Sequence, residues 1–194
     1  MKKAAQLITK ILSPVTTGLA TLVIAIFVQQ IALNQKIFWF ALALSMAIVP
    51  MAIIYLQYKS GKITSLLSPS ALERRDSFMS WVLIAFIFSA ISFWLDAPRL
   101  IFALGLVFLV LGAVNFLLTS IFKISIHSEM VTLLVITTIL SVSVGYIFLV
   151  LLIPLVAWAR IYLKNHTLSE VSYGALLSVL AVYFVFYIFG LATF

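Results

Sequence analysis

Apolar runs of about twenty residues follow one another along this chain. As a helix rising 1.5 Å per residue, a run of that length crosses a hydrocarbon core of roughly 30 Å. Seven segments can be read: Val15 to Leu33, Ile37 to Gln57, Met79 to Leu95, Leu100 to Phe122, a shorter one after Glu129 ending near Ser143, Tyr146 to Leu163, and Glu170 onward. The fifth is short for a span, so the reading is six to seven transmembrane helices. No alternating ten-residue pattern suggests a β-barrel. The expected fold is an all-α, polytopic membrane helical bundle forming a single integral-membrane domain, residues 1–194.

Composition agrees. The chain is 65% hydrophobic and 9% charged, against roughly half and a quarter for a soluble domain. There is no cysteine, which excludes disulfides and thiolate metal sites. The net charge of +7 fits anionic headgroups and cytoplasmic flanks, with no nucleic-acid partner. The opening MKKAAQLITK reads as a short basic interfacial helix before a retained first span. A turn is expected at Asn34 to Lys36, a kink at Pro50, and one long polar loop from Tyr58 to Phe78. Trp39, Trp81, Trp94 and Trp158 read as interfacial anchors or packing.

The polar residues are few, and some of them form patterns. Arg160, His166 and Glu170 lie in ARIYLKNHTLSEVSYG with the spacing R-x5-H-x3-E. Four residues apart on a helix, His166 and Glu170 share a face. A carboxylate there fixes the imidazole tautomer and stabilises the imidazolium, so such a histidine can act as a nucleophile. Arg160 offers a forked donor set for phosphate. The other histidine, His127, follows Lys123 and Ser125 at a helix entry, where Ser125 can cap and His127 can act as a general acid. Arg74 and Arg75 are adjacent in the long polar segment, next to Glu73 and Asp76. Each pattern taken singly also reads as ordinary juxtamembrane charge. Two histidines without clustered carboxylates are a poor metal-ligand set, so no metal and no cofactor are expected.

Together these segments resemble the type 2 phosphatidic acid phosphatase superfamily, whose motifs are K-x6-R-P, P-S-G-H and S-R-x5-H-x3-D. The third is met by Ala159-Arg160, His166 and Glu170, with Val171 and Gly174 also in place; the second by Ile124-Ser125-Ile126-His127, without the proline and glycine. SPSALERRDSF resembles the E-R-R-x-P-F variant of a small bacterial subgroup, which also carries K-I-S-x-H and A-R-x-Y-L-x-x-H-T. The resemblance spans roughly Lys62 to Ser178. It implies a metal-independent phosphatase or diphosphatase acting on a lipid phosphate, such as an isoprenyl phosphate or a phosphatidic-acid-like lipid. His166 would become phosphohistidine, Glu170 would orient it and His127 would protonate the leaving group. Arg160, Arg74, Arg75, Lys123 and Ser125 would hold the phosphoryl oxygens. The departures from the motifs leave a second reading, a catalytically inactive relative that binds lipid or serves as a scaffold.

An even number of segments separates Arg75 from His127 and His127 from His166. The polar sites thus share one face, which also carries Lys2, Lys3, Lys10, Lys59, Lys62 and Lys164, against Lys36 and Arg99 on the other. The positive-inside rule makes the rich face cytoplasmic, in a bacterial or archaeal cell membrane. Single cysteines replacing Ser70 and Asn165 are therefore expected to resist an impermeant thiol reagent in intact cells and to label after permeabilisation. Rapid labelling of both in intact cells would reverse the orientation.

Overall fold

The computed structural model describes residues 1–63 and 71–191. Within them the regular structure is entirely helical: α1 Lys2–Ile11, α2 Pro14–Phe27, α3 Leu33–Lys59, α4 Ala71–Trp94, α5 Arg99–Leu118, α6 Ile126–Ser141, a 3₁₀ helix Val144–Leu151, α7 Leu152–Tyr162 and α8 Leu168–Ile188. Five helical stretches are long and apolar enough to cross a membrane. There are six when α1 and α2, bent by 40°, count as one broken span. At 16 residues, α6 reaches only about 24 Å, so it falls short of the length that a seventh span would need. Leu83, Phe86, Leu176, Leu180 and Phe184 are among many large apolar side chains left exposed. That is the surface of an integral membrane protein, whose outer helix faces meet lipid.

Local chemistry accounts for most helix boundaries. Ser13 caps α2, its hydroxyl accepting from the Thr16 N–H at 3.2 Å, with Pro14 at the first helical position, where its missing N–H costs nothing. This Ser-Pro pair ends α1 and begins α2. The 3₁₀ helix passes into α7 just before Pro154, which falls in the first turn of α7 and so breaks no hydrogen bond. Pro50 lies inside α3, which remains one helix from Leu33 to Lys59. Two expected loops are partly helical. Asn34 to Lys36 form the first turn of α3, so the link from α2 lies earlier, and α4 begins at Ala71. Arg74 and Arg75 are therefore helical. Ser68 to Ser70, part of the sequence resembling the first motif, lie outside the described residues.

The chain groups into two compact units. The second, Ala32 to Lys123, stacks α3, α4 and α5. α5 approaches α4 through Gly105 and Gly112, where a Cβ would lie 2.9 Å from Phe88 and 3.3 Å from Val82. Small residues let helices approach closely in this way.

The first unit joins Met1 to Ile31 with Ile124 onward. Here α6 packs against α2, α7 and α8, and α1 packs against α7. The tightest seam is between the start of α6 and the start of α8. The Ser125 N–H donates to the Glu170 carbonyl at 3.2 Å. The Ser178 hydroxyl donates to the Glu129 carbonyl at 2.6 Å. Between them sits Gly174, where a Cβ would stand 2.5 Å from the Ser125 carbonyl oxygen. An alanine in a helix interior usually gains about 1 kcal/mol over glycine. At position 174 that gain is outweighed, because backbone has to move. Gly174→Ala is expected to destabilise the protein by about 1–3 kcal/mol, read as a fall in Tm in detergent. Gly112→Ala, facing a movable Val82 side chain, is expected to cost less. An unchanged Tm for Gly174→Ala would mean that the seam yields easily.

Candidate active site

The R-x5-H spacing acquires a structural reason at the end of α7. Lys164 takes a left-handed backbone, φ 55°, and the Asn165 N–H reaches back to the Arg160 carbonyl at 3.1 Å. This is the reversal that commonly closes a helix. It turns the chain over the last turn of α7, so that Arg160 precedes the reversal and His166 follows it. Lysine is an unusual occupant of that conformation, which costs an ordinary residue roughly 1–2 kcal/mol.

Glu170 has two roles. Thr167 is the N-cap of α8: its Oγ1 accepts from the Glu170 N–H at 3.3 Å, and its own N–H donates to Glu170 Oε2 at 3.2 Å. That reciprocal capping box satisfies two backbone donors at the helix start. The same Oε2 lies 2.7 Å from His166 Nδ1. The His166 side chain is only 7% exposed. The carboxylate on Nδ1 fixes the orientation of the ring.

His127 lies in the first turn of α6. Burial pushes its pKa down from 6.5 to about 3. The charges of Arg160 and His166 push the same way, and a hydrogen bond to the Thr9 backbone opposes them. It is therefore neutral at pH 7. Arg160, in the last turn of α7, is 8% exposed. His166 and Glu170 form an ion pair when the ring is protonated, and the buried Arg160 Nε has no hydrogen-bond partner.

Ser125 is the N-cap residue of α6, but its side chain makes no capping bond. Its hydroxyl accepts from Ser128 Oγ at 3.3 Å, and both serines are fully buried. The side-chain cap expected of Ser125 is therefore not made; its carbonyl accepts the ordinary first helical bond, from the Glu129 N–H at 3.0 Å.

The first unit thus holds His127, His166, Glu170, Arg160 and Ser125. Arg74, Arg75 and Lys123 belong to the second. There the Arg75 guanidinium lies over the Phe116 ring, 5.0 Å from its centroid, and shares an open pocket with Lys62, Glu73 and Asp76. Among the described residues no three His, Asp or Glu side chains group as a metal-ion ligand set.

Four contributors were not singled out for what they do. Thr167 was legible, since T-x-x-E before an apolar run is a capping-box signal. Gly174 was placed only as a motif position, without its close approach. Thr9 and Ser178 carry no local signal, because what they bond lies far along the chain. No family model, curated protein or solved structure matches the chain.

The shift at His127 has a measurable sign. Between pH 6.5 and about 3 the unfolded chain binds a proton on this residue that the folded chain refuses. Stability therefore falls as pH drops through that window and changes no further below it. From pH 7 to 4.5 the Tm of wild type in detergent is expected to fall more steeply than that of His127→Gln. Parallel slopes would locate the acid sensitivity elsewhere.

Proposed function

We propose that this protein is a membrane lipid-phosphate phosphatase or diphosphatase working through a phosphohistidine on His166. The observation that carries the reading is Arg160: a buried guanidinium with no carboxylate ion pair among the described residues, whose charge acts on the neutral His127 imidazole, which also feels the carboxylate-held His166. A buried cation without a counter-charge costs several kcal/mol. An arriving anion offsets that cost, and a phosphoryl group suits the guanidinium fork.

The chemistry follows from the two histidines. His166 Nε2 attacks phosphorus, forming an N–P bond as the bond to the lipid oxygen breaks. Glu170 stabilises the positive charge that develops on the ring. The departing alkoxide takes a proton from His127. His127 is neutral in the empty site, and a phosphoryl dianion beside it favours the imidazolium, so this proton is taken up with the substrate. Water then attacks phosphorus and gives a proton to His127. The N–P bond breaks, inorganic phosphate leaves, and the lone pair returns to Nε2. Arg160 holds equatorial oxygens throughout. No step requires a metal ion.

An isoprenyl phosphate or diphosphate, or a phosphatidic-acid-like lipid, matches an anion site in a protein surrounded by bilayer. Phosphate release from a panel of these lipids, measured with EDTA present, tests the reading. Vanadate is expected to inhibit as a mimic of the five-coordinate phosphorus. His166→Ala is expected to lose activity at least a thousandfold on every substrate. His127→Ala is expected to lose about 10²–10⁴-fold on a lipid phosphate and far less on nitrophenyl phosphate, whose leaving group needs no proton. Activity that requires added magnesium, or full activity in His166→Ala, would refute the mechanism.

A further inference from the structure

We infer that Thr9, on the N-terminal helix α1, belongs to this site and that its hydroxyl donates a hydrogen bond to a phosphoryl oxygen; the inference rests on the anion-site reading above.

Three observations converge on Thr9. Its backbone is hydrogen-bonded to His127, which holds the residue against the proposed acid. α1 packs on α7, the helix that carries Arg160. Ala5, one turn before Thr9 and on the same face, is fully buried. Finally, Thr9 Oγ1 is buried and has no hydrogen-bond partner.

The last point is unusual for a helical threonine. Such hydroxyls generally bond back to the carbonyl four residues earlier. Thr17 does so to Ser13 at 2.8 Å, Thr21 to Thr17 at 2.8 Å and Thr138 to Leu134 at 2.7 Å. Thr9 does not, although its helix offers the Ala5 carbonyl. A buried hydroxyl without a partner is destabilising. Thr132 and Thr137 also have orphaned hydroxyls, but Thr9 alone of the three is tied to His127. Thr9 Oγ1 and Arg160 Nε are thus two buried, unpaired donors on two packed helices, and His127 bonds the Thr9 backbone and feels the Arg160 charge. An oxyanion satisfies both.

The chemistry separates a ligand from a structural group. Thr9→Val removes only the hydroxyl and keeps the backbone carbonyl that His127 uses. Removing an unsatisfied buried hydroxyl leaves the empty protein as stable as before, or more so. The test uses the full chain in detergent, with orthovanadate and orthophosphate as probes. Binding is read by thermal shift and by inhibition of phosphate release. Thr9→Val is expected to weaken vanadate and orthophosphate binding about tenfold and to raise KM for the lipid phosphate, with an unchanged or higher Tm without ligand. Thr9→Ser is expected to stay within about twofold of wild type. Anion affinity within twofold of wild type in Thr9→Val overturns the inference. So does a loss of Tm or of folded protein in that variant, since the hydroxyl would then be structural. A wild-type protein that binds neither probe and releases no phosphate removes the parent reading as well. That outcome is separable, because it appears before any substitution at Thr9.

Discussion

The backbone seam between α6 and α8 is the constraint on which the candidate site depends. His127 and His166 stand 39 positions apart in the chain. They share a site because the first turns of these two helices lie against each other, carbonyl to amide and carbonyl to glycine. The Glu170 carbonyl accepts from Ser125 while its carboxylate accepts from Thr167 and lies against His166. One residue thus locks the helix start, the neighbouring helix and the imidazole. Gly174 permits the approach because no other residue lacks the Cβ that would strike Ser125.

This arrangement encloses charge in a protein with little charge available. The Glu170 carboxylate is held against His166. Arg160 is left as a buried cation whose positive field helps to keep His127 neutral. An empty site with these features is electrostatically incomplete. Under the proposed function, an arriving anion would be coupled to proton uptake on His127, so that anion binding and acid catalysis would become one event.

α1 is the proposed second source of groups for the site. As a basic amphipathic segment it reads as a surface anchor, and its exposed Lys2, Lys3 and Lys10 suit that role. Its buried side, at Ala5 and Thr9, faces inward on the unit that holds both histidines. On that proposal one short helix would serve the headgroup surface with one face and the site with the other.

The sequence alone determined the class. Twenty-residue apolar runs admit little besides membrane helices, because backbone polar groups in hydrocarbon must bond within their own segment. It also determined the His166–Glu170 pair and the Thr167 cap, since both act within one helical turn. Helix boundaries near polar residues were less legible: Asn34 to Lys36 and Arg74 to Asp76 read as loop, yet they continue helices whose ends are set by capping and packing. The tertiary structure decided which distant residues meet. The Thr9 contact to His127, the Gly174 approach to Ser125 and the Ser178 bond to Glu129 each join positions with no local signal. Long-range backbone bonds and the absence of a Cβ carry no periodicity to read. The structure also decided that Arg160 is buried without a carboxylate partner, a property of everything packed around it that no spacing along the chain encodes.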